Sequence, residues 1–315
     1  MEMNVLRRYI LRRLMSAVPV LFGISLLAFV LGQLSPGDPA EIMLEGAGMG
    51  MPSDEEVAAL RTYLGLDKPP YVQYGIWLWR LLHGDGGISY HLGMPVFTAL
   101  LDRLPVTALA SLVWAIVGGL GLGLVMAGRR GTLIEALVRG MTQLMLAAPS
   151  FLTAILLILV FGVWLHVLPT NGAESAAGYI LPSLALALVT LAMAAQLLDS
   201  QLRDALASAY AQTARLRGLS EERVLLTYAL PNAMLPVVAM LGNFFAAVLG
   251  GAIIVETVFA LPGIGSLALE AIHYRDYPLL QGYVLFLGGI YVLVTIGVDL
   301  ILARLDPRIV PGGGR

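Results

Sequence analysis

Residues 140–173 read GMTQLMLAAPSFLTAILLILVFGVWLHVLPTNGA, which is 34 residues without a charge. A helix needs about 20 consecutive apolar residues to cross the hydrocarbon core of a bilayer. Five more charge-free stretches flank this one: 14–37 (24 residues), 104–128 (25), 175–198 (24), 224–255 (32) and 277–298 (22). Together the six take up about half of the 315 residues. The chain is 58% hydrophobic, with 35 glycines besides, and 13% charged. Soluble domains carry about 25% charge, so a soluble core cannot use this much apolar surface. Intrinsic disorder, a disulfide-stapled secreted fold and a cytosolic enzyme are excluded. The expected fold class is all-α: a polytopic membrane protein with six transmembrane helices, at about 14–34, 105–127, 141–164, 179–198, 233–255 and 279–303.

The residues that are scarce restrict the chemistry. There is no cysteine, hence no disulfide, thiolate metal site or covalent haem. The only lysine, Lys68, is followed by two prolines, whereas a P-loop needs its Lys after a Gly-rich turn to reach the phosphates. If ATP drives this protein, another chain carries the ATPase. There is no Gly-x-Ser-x-Gly elbow or His-Glu-x-x-His zinc motif to support a membrane protease. A net charge of −2 argues against a nucleic-acid partner. Arg7, Arg8, Arg12 and Arg13 before an apolar run look like the start of a signal peptide. That run exceeds the 7–15 residues of an h-region, and Ser35-Pro36-Gly37-Asp38 is no small-residue cleavage site. An uncleaved first transmembrane helix is expected.

Six spans put both termini on one side. With the N-terminus inside, 14 of the 19 Lys and Arg residues fall inside, and Arg61, Lys68, Arg80, Arg103 and Arg275 outside. Thirteen acidic residues fall outside and seven inside, with Asp299 within the sixth span. The positive-inside rule then predicts cytoplasmic N- and C-termini. Segment 35–103 is too long for a simple connector. Ser53-Asp54-Glu55-Glu56 reads as a capping box and Gly65 as a stop. Pro69-Pro70 opens a second amphipathic run, Tyr71 to His83, stopped by Gly84. Its Tyr71, Tyr74, Trp77 and Trp79 suit a membrane interface. The segment is either a small lid on the helix ends or a docking surface for an extracytoplasmic partner.

The inside segment 199–232 does not have the composition of a loop. It is rich in helix formers and carries Tyr210, Thr213, Ala214, Arg215, Arg217, Gly218, Leu219, Glu221 and Pro231. Ser220, with Glu221 to Arg223, starts a second short helix after a turn at Gly218. Ala211 and Ala214 allow close backbone approach, which suits insertion into a groove on a partner. An amphipathic helix lying on the inner membrane surface is the other reading.

The pattern Tyr-x-x-Thr-Ala-Arg-x-x-Gly-Leu from Tyr210, followed by Leu230-Pro-Asn-Ala and Leu235-Pro-Val, resembles the inner-face loop of ABC importer permease subunits. Leu34-Ser-Pro-Gly-Asp-Pro-Ala40 and Leu64-Gly-Leu-Asp-Lys-Pro-Pro-Tyr-Val-Gln-Tyr74 are similar to landmarks of the same family. So are Val255-Glu256-Thr-Val-Phe259-Ala-Leu-Pro262-Gly263-Ile-Gly265, Arg275-Asp276-Tyr277-Pro278 and Asp306-Pro307-Arg308-Ile309. In order, these cover residues 5 to 309. The match is to the peptide and nickel importer group, first of two permease subunits.

The resemblance implies a type I ABC importer transmembrane fold. It implies an N-terminal helix at 14–34, an extracytoplasmic helical segment at 35–103, and a core at 104–305 with a coupling loop at 203–231. The partners implied are a second homologous permease, two ATP-binding cassette subunits and an extracytoplasmic substrate-binding protein. ATP is used by the partner subunits, and this chain binds no cofactor. The coupling residues implied are the nine named above. Glu256, Pro262, Gly263 and Asp276 are carried over as an outer gate or binding-protein docking site. Tyr71 to His83, Gly87-Ile-Ser89 and Ala214 to Leu219 look closer to nickel than to dipeptide permeases. Nickel or a metal chelate is therefore the expected cargo, with di- or oligopeptides as the alternative.

His83, His91, His166 and His273 form no i, i+4 ligand pair, and a lone interfacial His is normally a polar tip at the headgroups. Asp299 is the only charge inside a proposed span. It is either a functional carboxylate or an interfacial Asp satisfied by water or an Arg such as Arg304. An ion-coupled secondary transporter would need more such groups. Gly118, Gly119, Gly121 and Gly123 lack the context of a dinucleotide fingerprint and read as a helix-packing stripe. Gly242, Gly250 and Gly251 are similar. Met141, Met145, Met193, Met234 and Met240 are read as flexible core filler before soft metal contacts.

Overall fold

The computed structural model describes residues 2–34, 37–46, 52–104, 106–171, 175–250 and 253–305. Ser35, Pro36, Gly251 and the stretch Asp306 to Ile309, named above, lie outside the described residues, as do the side chains of Arg7 and Arg8. The chain is helical in the order α1 (Glu2–Leu34), α2 (Pro39–Gly46), α3 (Asp54–Leu64), α4 (Pro70–Leu82), α5 (Val96–Asp102), α6 (Val106–Gly128), α7 (Leu133–Ala147) and α8 (Ser150–Leu157). There follow α9 (Ile180–Ala207), α10 (Ala209–Leu216), α11 (Glu221–Arg223), α12 (Leu230–Leu249), α13 (Ile253–Val258), α14 (Ile264–His273) and α15 (Tyr277–Leu305). Helix α8 runs on as a π-helical segment, Ile158–Trp164, and α11 joins α12 through another, Val224–Ala229.

Five helical stretches are long and apolar enough to cross a bilayer: Leu11–Leu34, Ala108–Gly128, Ala176–Ala207, Glu221–Leu249 and Tyr277–Leu305. The stretch that opened the sequence reading supplies the sixth in altered form. Instead of one helix over 141–164, Leu133–Ala147 and Ser150–Trp164 meet at 112°. Pro149 causes the break. Its ring disfavours helical geometry in the preceding residue, and Ala148 is extended (φ −82°, ψ 125°). The expected all-α fold stands, with five spans among the described residues, or six where the bent pair is counted as one.

The chain divides into two compact units, residues 1–13, 105–261 and 293–315 in one and 14–104 and 262–292 in the other. Helix α9 is the centre of the first unit, and α6 lies against it. An added Cβ at Gly118 would sit 2.2 Å from Leu191 Cδ1, and one at Gly119 would sit 2.6 Å from Ala194 Cβ. At Gly123 it would be 3.0 Å from the Ala195 carbonyl oxygen. The glycine stripe is thus a packing surface, as its spacing predicts. Around it Ala187, Leu198, Leu202, Ala233, Val237 and Leu241 form the inner core of α6, α9 and α12. Ala154, Leu181, Ala185, Val255, Phe259 and Leu261 form a second core between α8, α9 and α13. Gly242 lets α12 approach α15, where an added Cβ would be 2.1 Å from Val298 Cγ2. Asp299 pairs with Arg13 at 2.9 Å, on α1, rather than with Arg304 on its own helix.

In the second unit the capping box forms as expected. The Ser53 hydroxyl accepts the Glu56 N–H (3.3 Å) and the Glu56 carboxylate accepts the Ser53 N–H (2.9 Å). The Ser53 N–H bond, with the Ser53 hydroxyl donating to the same carboxylate (2.9 Å), holds the Glu56 carboxyl below its usual range. Gly65 ends α3 in the left-handed region (φ 73°). Val96, Leu100, Leu267, Ala271 and Leu279 form the core of α5, α14 and the first turns of α15.

Gly119→Ala should destabilise the α6–α9 contact by about 1–3 kcal/mol, since the new methyl meets Ala194 and backbone atoms that cannot swing away. Gly121→Ala meets nothing within 4 Å and should be neutral or mildly stabilising. Thermal unfolding of the two purified variants checks both. Equal midpoints would contradict the close contact.

Candidate coupling site

Helix α9 extends nine residues beyond the expected end at residue 198, to Ala207, and carries the segment from Ser208 onward on its tip. Ser208 breaks the helix with an extended backbone (φ −70°, ψ 158°) and starts α10. Gly218 then turns the chain with φ 81°. An added Cβ there meets nothing within 4 Å, so Gly is required by the backbone angle, which costs an L-residue about 1–2 kcal/mol, and not by crowding. The Gly218 N–H donates to the Arg215 carbonyl (2.9 Å) and closes the turn. Ser220, extended at φ −65°, caps α11 by accepting the Arg223 N–H (3.4 Å).

Arg215 fastens the hairpin. Its Nε and Nη2 donate to the two carboxylate oxygens of Glu221 (2.7 and 3.1 Å), and its Nη1 donates to the Leu206 carbonyl on α9 (2.9 Å). A bidentate pair of this kind fixes direction as well as distance. The bond to Glu221 holds the Arg215 guanidinium above its usual pKa.

Ala211 and Ala214 do not face outward. Both are buried against Val224, with Leu206 and Leu219 packed on the same cluster. Their small side chains serve close approach within the hairpin, so the close approach expected of them is to Val224 and not to a partner's groove. Tyr210 (41% exposed), Thr213, Leu216 and Arg217 are exposed. Leu216, at 89% exposed, is the most prominent apolar group on the segment and was not among the residues singled out from sequence. The helical phase would have found it: if Ala211 and Ala214 point in, residues 209, 212, 213 and 216 point out. Pro231 is exposed at the start of α12. Beside the hairpin a groove of 560 Å³ opens between the ends of α6 and α9 and α11, lined by Gly128, Arg130, Arg203, Leu206, Arg215 and Glu222 among others.

A second feature missed in the sequence supports this end of α9. Asp199 is fully buried and receives Arg139 and Arg203, each at 2.9 Å. Arg139 also pairs with Glu135 at 2.7 Å, so α7 is clamped to α9 about two turns above the hairpin's root. Counting residue 199 as the start of a loop hid this carboxylate.

The residues carried over for the outer side are split between the two units. Glu256, in α13 of the first, is buried. In the second, Pro262 is exposed and Gly263 is the N-cap of α14, where its N–H donates to the Ser266 hydroxyl (2.9 Å). Asp276 is fully buried. It accepts the Ser89 hydroxyl (2.5 Å) and the N–H groups of His91 and Leu279 (3.1 Å each). The carboxylate therefore ties the turn at 87–95 to the start of α15, and no face of it is open for docking. Its charge and the burial of the site push the neighbouring Tyr90 phenol up to about 12, burial being the larger cause. His91 stacks on Tyr274 (3.6 Å), and His83 lies tilted at 46° to Trp79 (4.3 Å). Among the described residues no three His, Cys, Asp or Glu side chains converge as metal ligands.

A polytopic helical bundle with a rigid hairpin on the end of its central helix is the membrane subunit of an ABC importer, of the type I fold. Residues 119–311 match the binding-protein-dependent transport system inner membrane component family, and residues 6–112 match that family's N-terminal membrane component. The chain belongs to this family. It is 40% identical over 311 residues to a peptide transport system permease protein of Brucella abortus (strain 2308), covering 95% of this chain and 98% of the relative. It is 37% identical over 305 residues to the glutathione transport system permease protein GsiC of Escherichia coli (strain K12), covering 96% and 98%. A chain of the MetNI methionine ABC transporter in an inward-facing conformation shares the fold, with a TM-score of 0.54 at 16% identity over 67% of this chain and 97% of that one.

Gly218→Pro removes the N–H that closes the turn and forces φ to about −65°. It should abolish transport while leaving membrane insertion intact. A bulky residue at Ala214, buried at 3% exposure, should do the same. Normal uptake in both variants, measured beside their abundance in membranes, would refute a role for the hairpin.

Proposed function

We propose that this chain is one of two permease subunits of an ATP-driven importer whose cargo is a di- or oligopeptide or a peptide-like compound such as glutathione. The observation that carries the cargo is the full-length similarity, at 40% and 37% identity, to permeases named for peptides and for glutathione. Neither is named for nickel, and His83, His91 and His273 lie against Trp79 or Tyr274 instead of one another. Nickel, the expectation from local sequence, is set aside on those grounds. Secondary transport is not carried forward either, because Asp199 and Asp299 both face guanidinium groups.

In this reading the chain is organised as an N-terminal span (14–34), an extracytoplasmic segment (35–103) and a core (104–305). Both termini are cytoplasmic, supported by the arginines gathered at that side. ATP is bound and hydrolysed by two partner subunits, and no cofactor is held here. Tyr210, Thr213, Leu216 and Arg217 enter a groove on the ATPase, with an apolar anchor at the centre and polar groups around it. Arg215, Glu221 and Gly218 keep that face rigid. Closure of the ATPases pushes the hairpin, and α9 transmits the displacement to the spans that alternate between inward- and outward-open arrangements. A substrate-binding protein delivers cargo at the other side, and Pro262 is the exposed member of the docking set.

Uptake of a labelled dipeptide, labelled glutathione and labelled nickel in a strain deleted for this gene decides the cargo. Peptide or glutathione uptake should return with the wild-type gene and should fail with Leu216→Asp, and nickel uptake should not change. Restored nickel uptake without peptide uptake would overturn the assignment.

A further inference from the structure

Helix α4 has too little polarity for the place an extracytoplasmic helix is expected to occupy. Its 13 residues, Pro70 to Leu82, carry one charge, Arg80, and are apolar around most of the circumference. A helix of that kind is normally buried on all sides. Only one side of α4 is covered. Tyr74 and Trp77 pack on α1, with the Tyr74 ring 6.2 Å from Phe22 and 5.3 Å from Phe29, and Trp77 5.8 Å from Phe29. The Tyr74 hydroxyl is hydrogen-bonded to Ser25 Oγ (2.8 Å), and the Gln33 amide donates to Gln73 (2.8 Å).

These contacts set a depth. Ser25 lies nine residues before Leu34, the end of the span, which is roughly 14 Å at 1.5 Å per residue. The half-thickness of the hydrocarbon core is about 15 Å. A tyrosine side chain is well short of that reach, so the backbone of α4 at Tyr74 is itself below the end of α1. The uncovered side of α4 is therefore at lipid level. It carries Tyr71 (77% exposed), Leu78, Trp79 (66%) and Leu82 (74%), at i, i+7, i+8 and i+11, which is one helical stripe. The surface continues the exposed apolar face of α1, where Phe22, Leu26 and Val30 are also uncovered. Helix α3 differs in charge: it opens with Asp54, Glu55 and Glu56 and carries Arg61 in its last turn.

We infer that α4 is an interfacial helix immersed in the leaflet at the C-terminal end of the α1 span, with Tyr71, Leu78, Trp79 and Leu82 seated among lipid headgroups and upper acyl chains. Tyr and Trp favour that level, and Arg80 is long enough to reach the phosphates from it. In the orientation proposed above this is the outer leaflet. The depth comes from the α1 contacts alone and does not rest on the cargo or on ATP coupling. Segment 35–103 is thereby anchored to the membrane by α4, and α3 and the turn at 87–95 stand in water.

The test uses the full chain in nanodiscs. Trp77→Phe, Trp114→Phe and Trp164→Phe together leave Trp79 as the only tryptophan. Phosphatidylcholine brominated near the headgroup end of its chains should remove about half or more of the Trp79 emission, as for a ring at the interface, and aqueous acrylamide should remove little. A second measurement covers the case in which the triple variant does not fold. The chain has no cysteine, so Leu82→Cys and Thr62→Cys each give one thiol. A membrane-impermeant maleimide added outside should label Thr62→Cys in intact bilayers and Leu82→Cys only after detergent. Equal labelling of the two, or strong acrylamide quenching, would place α4 in water and overturn the proposal. Protection of Trp79 from both acrylamide and brominated lipid would mean a protein covers the stripe, and would overturn it as well.

Discussion

Helices α6 and α9 meet where a single added methyl would collide with the neighbouring helix. The Gly118, Gly119 and Gly123 positions lie against Leu191, Ala194 and Ala195. In a bilayer the helices gain nothing from hiding apolar surface from each other, so association depends on packing at short range. That contact makes α9 the best-buried span of the chain, 56% of its window against 28% for α6 and for the span containing α12, and none for α15. Everything placed on α9 inherits its rigidity. This includes the carboxylate of Asp199, which draws in α7 through Arg139, and the hairpin that begins at Ser208.

The hairpin itself is stiff for local reasons. Gly218 permits the turn, Ser220 restarts the helix, and Arg215 ties α9, α10 and α11 together with three donated bonds. Ala211, Ala214 and Val224 fill the interior with small and branched groups. The Asp199 clamp joins α7 to α9 through Arg139. These features are what a mechanical coupler requires, and they sit on the side where the arginines gather.

Much of the fold was legible because a bilayer admits few alternatives. Charge-free length locates spans, and the caps at Ser53, Gly65, Gly84 and Gly218 carry their own chemistry. The failures were of two kinds. Pro149 was passed over because the apolar run continues through it, and hydropathy does not see a bend. Asp199 and the inward turn of Ala211 and Ala214 depend on which face of a helix meets which neighbour, and a charge at a span end was taken as the start of a loop. Leu216 was missed by the same error of phase. Asp276 shows the limit from the other direction. Its motif is recognisable in sequence, but only the bonds from Ser89, His91 and Leu279 reveal a clamp in place of a docking group.

The central claim is that the outward face of α10 is the contact through which a partner ATPase drives this chain. Because the chain lacks cysteine, single thiols can be placed on either face of the hairpin without a background. Photo-activated cross-linking from Leu216→Cys and from Val224→Cys in membranes holding the whole transporter compares the two faces directly. The account predicts an ATPase adduct from position 216 whose yield changes with nucleotide, and none from position 224. Equal adducts from both positions, or an adduct from 216 to lipid alone, would contradict it.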